Sequence, residues 1–291
     1  MPQHPVTGRF APSPTGSLHF GSLVAAVGSY LEAKCTGGSW LLRIEDIDPP
    51  REVAGSSAKI IADLHRFGMY ADEPALYQSD RILAYQKAVE DLVDAGRAYP
   101  CACSRKDLPA SGIYPGTCRN GIPAEKTPRA IRFRLDDGGC EFTDGIQGRI
   151  HESPATSCGD FIIKRADGLF AYQLAVVVDD DFQGITQVVR GADLLDSTCR
   201  QIALQQALGF ESPRYMHLPV ALSGEGKKMS KRDQSDPVKH QDPAYAVFQA
   251  LHFLGQKAPA DSGLEALWAW ALEHWDNSLI ARQKEIMPAR V

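Results

Sequence analysis

The segment Trp40–Ile44, WLLRI, sets four apolar residues around one arginine without alternating polar and apolar positions. A strand of this composition is buried on both faces, and such strands belong to parallel sheets covered by helices on both sides. The flanking segments agree. Val6 to Phe10 forms a short strand that runs into the turn PSPTG, and a helix follows from His19 to Lys34, with Leu18, Val24, Val27 and Leu31 at helical spacing. Gly37–Gly38 stops that helix. A second helix over Ser56–Phe67 completes a right-handed strand–helix–strand–helix start. The eight strand signals of a barrel do not appear. The fold class is therefore α/β, with an open parallel sheet.

A third helix is expected over Asp80–Ala95. From about Tyr99 to Phe161 the texture changes to clustered cysteines, a Pro/Gly-rich loop (PASGIYPGTCRNGIP) and short alternating strands, AIRFRL and CEFTDGIQGRI. Sheet texture returns with FAYQLAVVVDD, the strand ITQVVRG, a helix over Leu194–Leu208 and the strand YMHLPVAL, before the polar loop SGEGKKMSKRDQSD. The end of the chain reads as helical, with Tyr245, Phe248, Leu251 and Leu254 on one face and LEALWAWALEHW beyond. Residues 1–98 and 161–235 are accordingly the two halves of one domain. Residues 99–160 are an insertion, and 236–291 a helical remnant.

Thirty-one basic against 36 acidic residues give a net charge of -5, which does not favour coating nucleic acid by bulk attraction but leaves room for a local basic groove. The longest apolar run contains Gln173 and is far shorter than the ~20 residues a membrane span needs. The N-terminus carries no basic-then-apolar leader. With 7 cysteines at least one thiol is unpaired, and a core of this size has little need of disulfides. The expected setting is reducing and cytoplasmic, without membrane contact.

Four constellations carry chemistry. In RFAPSPTGSLHFGS, Arg9 to Ser22, a strand ends in a proline-stiffened turn and Gly16 makes space before a helix bearing His19 and Gly21. A helix N-terminus with unpaired N–H groups is a natural phosphate seat, though an ordinary turn with a solvent-facing histidine reads the same way. The loop KKMSKR, Lys227 to Arg232, crowds four cations into six residues, and an anion would relieve their repulsion. In RIEDIDPPR, Glu45 sits at the end of the buried strand, where open α/β sheets place ligands. Arg9 and Arg190 stand at the ends of separate strands. Together with Glu45, and with a hydroxyl from Tyr172, they would suit an acidic amino acid: two guanidiniums for two carboxylates, one carboxylate for the ammonium. Finally Cys101, Cys103 and Cys118 match the soft-ligand preference of zinc, with Tyr114 or Asp107 as the fourth ligand.

HFGS behind its turn resembles the first signature of class I aminoacyl-tRNA synthetases, and KMSKR, about 210 residues later, resembles the second. RFAPSPTG together with RIEDIDP is similar to the glutamyl and glutaminyl branch. Only 59 residues follow Arg232, too few for the anticodon-binding domains of the full-length enzymes. That shortness and the cysteine cluster make the chain resemble the glutamyl-Q tRNA(Asp) synthetases. Ser22 stands where many class I members carry a second histidine.

The resemblance implies a class I Rossmann-type sheet with an inserted zinc-bearing subdomain. It implies ATP-dependent activation of L-glutamate without tRNA, aided by Mg2+, and transfer to the cyclopentene diol of queuosine in the anticodon arm of tRNA(Asp), by a monomer. Arg9, Phe10, Ala11, Pro12, Ser13, Glu45, Tyr172 and Arg190 would bind glutamate. Pro12, Thr15, Gly16, His19, Gly21, Ser22, Lys228, Met229, Ser230, Lys231 and Arg232 would bind the nucleotide, with His19 and Lys231 acting in catalysis. Cys101, Cys103, Tyr114 and Cys118 would hold a structural Zn2+. Two other readings are a shortened glutamyl-tRNA synthetase charging a 3' end and a metabolic adenylate-forming enzyme without RNA. Arg97, Arg105, Lys106, Arg119, Lys126, Arg129, Arg132 and Arg134 are the candidate RNA-facing cations, Arg132 and Arg134 on the wet face of a strand.

Overall fold

The computed structural model describes residues 5–222, 238 and 241–287. Strand β1 (Thr7–Phe10) pairs in parallel with β2 (Ser39–Ile44), and β2 with the short β3 (Leu76–Tyr77). Helices α1 (Phe20–Lys34), α2 (Ser56–Arg66) and α3 (Ile82–Asp94) connect and follow them. In β2 every residue after Ser39 is buried, as its unalternating pattern requires, and Arg43 is 0% exposed. Gly38 allows the chain to enter β2 against β1, because a Cβ there would lie 2.0 Å from the Val6 carbonyl oxygen.

Strands β4 (Ala98–Cys101) and β5 (Ala130–Phe133) are antiparallel, and the hairpin β6 (Cys140–Asp144) and β7 (Gly148–Glu152) follows. After the single turn α4 (Pro154–Ser157), β8 (Phe161–Lys164) returns beside β5. Helix α5 (Tyr172–Phe182) leads to β9 (Gln187–Gly191), and α6 (Thr198–Leu208) to β10 (Arg214–Leu218), which pairs in parallel with both β9 and β6. Strand β1 lies beside β9, and the Thr186 N–H donates to the Thr7 carbonyl at 2.9 Å. Two sheets, β3-β2-β1 and β9-β10-β6-β7, thus meet edge to edge, with β1 to β3 stepping outward on one side of the β1/β9 line and β9 to β10 on the other. The chain ends in the paired β11 (Val220–Ala221) and β12 (Glu285–Ile286), with α7 (Pro243–Phe253) and α8 (Leu264–His274) between them.

Three expectations change in three dimensions. Residues 140–152 do not stand apart with the cysteine stretch, because β6 extends the central sheet through β10. Only Tyr99, Cys101, Ala102, Cys103, Tyr114 and Cys118 form a small core of their own. On α7 the buried face is Ala246, Val247, Ala250 and Leu251, while Tyr245 is 45% exposed. Asp242 caps the helix by accepting from the Tyr245 N–H, and the alanines let α7 pack closely on α1. Two cysteines that are scattered in the sequence, Cys140 on β6 and Cys199 on α6, form a disulfide, leaving Cys35, Cys101, Cys103, Cys118 and Cys158 as thiols. Compartment and composition could not show that these two side chains face each other. The intact oxidised protein should weigh two hydrogens less than the reduced one, and reduction should lower its stability by about 2–4 kcal/mol. Mass spectrometry and chemical denaturation with and without dithiothreitol check both.

Candidate active site

The turn after β1 is built before any ligand arrives. Thr15 N–H donates to the Ser13 carbonyl at 2.8 Å, and Gly16 takes φ +133°, a left-handed conformation that favours glycine. Gly16 N–H donates to Ser56 Oγ at 3.0 Å, and that hydroxyl donates back to the Gly16 carbonyl at 2.7 Å. Glu45 N–H reaches the Pro12 carbonyl at 3.0 Å and Val53 N–H the Pro14 carbonyl at 2.9 Å, so the turn is clamped to the segment after β2. His19 is the N-cap of α1. Its Nδ1 accepts from the Ser22 N–H at 3.2 Å, and its Nε2 lies 3.0 Å from Ser22 Oγ. An accepting Nδ1 places the proton of a neutral ring on Nε2, which makes that nitrogen a donor. Gly21 gives the ring room, since a Cβ would stand 3.3 Å from it.

A cavity of about 860 Å³ opens at the β1/β9 line, where an open α/β sheet binds its ligands. It brings together Arg9, Phe10, Ala11, Pro12, Ser13, Thr15, His19, Gly21, Ser22, Glu45, Tyr172 and Arg190. Gly16 shapes the turn without lining the cavity. Lys228, Met229, Ser230, Lys231 and Arg232 lie outside the described residues. The far wall adds Gly191, Asp193, Leu194 and the segment 219–221, which carry no sequence signal of a site.

The floor is charged. Arg9 Nε donates to Asp180 Oδ1 at 3.1 Å, and Arg43 Nη2 donates to the same oxygen at 2.7 Å. Arg43 Nη1 donates to Gln183 Oε1 at 2.8 Å, and Arg43 Nη2 stands 3.8 Å from Glu45. Burial opposes the charge on Asp180, yet Arg9 and Arg43 hold its pKa below the usual carboxylate value. Burial wins at Glu45, which is pushed up to about 7 despite the pull of Arg43 and Arg9. Arg43 and Asp180 have a sequence signal only in hindsight: an arginine inside an unbroken apolar strand, and aspartates closing an apolar helical run. Asp46, by contrast, accepts from the N–H and hydroxyl of Ser79, and Asp48 pairs with Arg51 and Arg165.

In the cysteine stretch, the Sγ atoms of buried Cys101, Cys103 and Cys118 all lie within 4.8 Å of one another. The Tyr114 hydroxyl is 3.5 Å from Cys101 Sγ and accepts from the Cys118 N–H at 2.8 Å. Asp107 is engaged elsewhere, in a capping box with Ser104 and an ion pair with Lys126. The candidate RNA-facing cations divide. Arg132 is not on a wet face: it is 6% exposed, lies over the Tyr114 ring and donates to Cys101 Sγ at 3.3 Å, because β5 is covered there by the cysteine core. Arg119 is bound by both oxygens of buried Asp160, Arg97 pairs with Asp136, and Arg134 donates to the Arg119 carbonyl at 2.7 Å. Arg119, Arg132 and Arg134 thus hold the subdomain together. Arg105, Lys106 and Arg129 remain as exposed cations.

These features have known counterparts. The family model of class I tRNA synthetases (E and Q), catalytic domain, matches residues 5–111 and 117–264. A crystal structure of a glutamate tRNA ligase from Elizabethkingia meningosepticum, in complex with its amino acid, superposes with a TM-score of 0.81 at 27% identity, covering 98% of this chain and 67% of that one. Proteins named glutamyl-Q tRNA(Asp) synthetase are closer in sequence. The one from Dechloromonas aromatica is 51% identical, over 97% of this chain and 98% of its own length, and the one from Pseudomonas aeruginosa 50% identical, over 94% and 95%. The chain belongs to the catalytic-domain family of class I glutamyl and glutaminyl tRNA synthetases, and within it to the glutamyl-Q tRNA(Asp) synthetases.

Asp180→Ala would leave two guanidiniums buried without their carboxylate, and should destabilise the protein by about 3–5 kcal/mol. Asp180→Asn, which keeps an acceptor, should recover part of the loss. Denaturant titration of both variants measures it.

Proposed function

We propose that the protein activates L-glutamate with ATP in the absence of tRNA and then esterifies it to the cyclopentene diol of queuosine in the anticodon of tRNA(Asp). The observation that carries this reading is one cavity in which Arg9 and Arg190 face Glu45 beside the N-terminus of α1. The near full-length similarity to proteins bearing that name supports it.

In this reading the two arginines receive the carboxylates of glutamate and Glu45 its ammonium, with Tyr172 and the segment Phe10–Ser13 enclosing it. The first-turn N–H groups of α1 and His19 Nε2 receive phosphate oxygens of ATP. Thr15, Gly16, Gly21 and Ser22 shape that seat, and the cations Lys228, Lys231 and Arg232 of the second signature supply positive charge to the nucleotide, Lys231 to the reacting phosphate. An α-carboxylate oxygen of glutamate attacks the α-phosphorus. The bond to the bridging oxygen breaks, and glutamyl-adenylate and pyrophosphate result. Bound Mg2+ supplies positive charge to the phosphates. A queuosine hydroxyl then attacks the acyl carbon, loses its proton and releases AMP. The mixed anhydride is already activated, so positioning suffices and no protein nucleophile is required. The reaction belongs in the cytoplasm, where ATP and tRNA are at hand. Among the described residues no helix is long and apolar enough to cross a membrane.

Glutamate-dependent ATP–pyrophosphate exchange without tRNA, followed by mass analysis of the anticodon nucleoside, tests both steps. A glutamyl ester that appears only on queuosine-containing tRNA(Asp), and not after periodate treatment of the diol, is the expected result. Charging of a 3' end would favour the shortened glutamyl-tRNA synthetase instead. Glu45 binds the ammonium only when ionised. The KM for glutamate should therefore rise as pH falls below about 7, by up to about tenfold per unit. Glu45→Gln should show a high KM with that dependence removed.

The cysteine core fits a zinc ion. Cys103 and Cys118 Sγ are 3.7 Å apart, close to the edge of a tetrahedron with Zn–S bonds of about 2.3 Å. Cys101, Cys103, Cys118 and Tyr114 would complete four ligands, leaving no open position. The role is then structural, and the Arg132 guanidinium offsets the excess negative charge of the ligands. Cys103→Ser should lose the metal and the protease resistance of residues 99–120. Metal analysis and limited proteolysis of wild type and variant provide the check.

A further inference from the structure

We propose that the buried pair Asp144–His217 is a positioning device for Arg190, fixing His217 as its Nδ1–H tautomer so that the Nε2 lone pair holds the guanidinium where a substrate carboxylate meets it. The inference rests on Arg190 belonging to the glutamate site. Neither Asp144 nor His217 lines the cavity.

Asp144 ends β6. Its Oδ1 accepts from the N–H groups of Ile146 at 3.0 Å, Gln147 at 2.9 Å and His217 at 3.1 Å. Its Oδ2 stands 2.6 Å from His217 Nδ1. An ionised carboxylate only accepts, so Nδ1 carries the proton. Burial opposes ionisation of Asp144, but these hydrogen bonds hold its pKa below the ordinary value. Burial also drives the His217 pKa down, against the pull of Asp144 and with the help of Arg190. The ring is 0% exposed. Neutral and protonated at Nδ1, it presents Nε2 as an acceptor, and Arg190 Nε–H donates to it at 3.0 Å.

Thr198 closes the arrangement. Its Oγ1 accepts from Arg190 Nη2 at 2.9 Å and lies 3.3 Å from His217 Nε2. Two of the three guanidinium nitrogens are thus engaged on the buried side. The third, Nη1, is 3.5 Å from the hydroxyl of the cavity residue Tyr172. In the opposite tautomer an N–H would confront an N–H, and Arg190 would lose the bond that sets its rotation. This role differs from packing, because it depends on which ring nitrogen bears the proton.

Two substitutions separate the roles. Asparagine at 217 can still donate to Asp144 but has no atom at the Nε2 position, whereas glutamine can place an oxygen there. His217→Asn should raise the KM for glutamate in pyrophosphate exchange about tenfold, the loss expected for one hydrogen bond to a charged group. The KM for ATP should change by less than about twofold. His217→Gln should recover most of the loss. In the wild type, a long-range proton–nitrogen correlation spectrum should show His217 as the neutral Nδ1–H tautomer. An Nε2–H tautomer, an imidazolium at neutral pH, or equal effects of the two variants on both KM values would overturn the proposal. Failure of wild type to exchange with glutamate would instead sink the functional reading, while the tautomer spectrum still decides this one.

Discussion

One carboxylate ties the site to the fold. Asp180 reaches from α5 across the sheet and accepts from Arg9 on β1 and Arg43 on β2 through a single oxygen. An arginine in the middle of a doubly buried strand has no route to water, so its charge is tolerable only if a fixed partner meets it there. The neighbouring Asp179 turns about 100° around the helix. It accepts from Gln78, Arg81 and Tyr85, at 2.8, 2.9 and 2.7 Å. Two adjacent aspartates therefore pin α5 to the sheet on one side and to the start of α3 on the other. The position of Tyr172, at the first turn of α5, follows from that.

The cavity lies where the strand order reverses. The crevice at the strand ends between β1 and β9 is flanked by the N-terminus of α1. Arg9, Glu45 and Arg190 come from three different strands or their ends, yet converge because those ends share one edge of the layer. Both arginines are held from behind, Arg9 by Asp180 and Arg190 by His217, Thr198 and, at one remove, Asp144. Guanidiniums fixed in advance lose less freedom on meeting an anion. The proposed glutamate site therefore has its two cationic groups in place before a ligand arrives.

The cysteine core follows the same economy of space. Arg132 occupies a position that alternation assigns to solvent, but the loop bearing Cys103, Tyr114 and Cys118 folds over it. Its charge then lies beside sulfur and an aromatic face. Alternation along a strand identifies two faces and is silent about which loop covers the second one.

The order of signals along the chain was enough for the parallel sheet, the proline-stiffened turn before α1 and the three thiols, while the meeting of Arg9, Glu45 and Arg190 in one pocket was expected from the family resemblance. The first three rest on local periodicity or on a motif whose chemistry is carried by neighbouring residues. The partners that hold those groups were invisible there: Asp180 lies 171 residues from Arg9 and Asp144 lies 73 from His217. The Cys140–Cys199 disulfide, the buried Arg132 and the exposed Tyr245 were equally hidden. Such pairings are decided by how layers stack, because a buried charge selects its partner by distance in space, and sequence separation carries no information about that distance once the chain has folded.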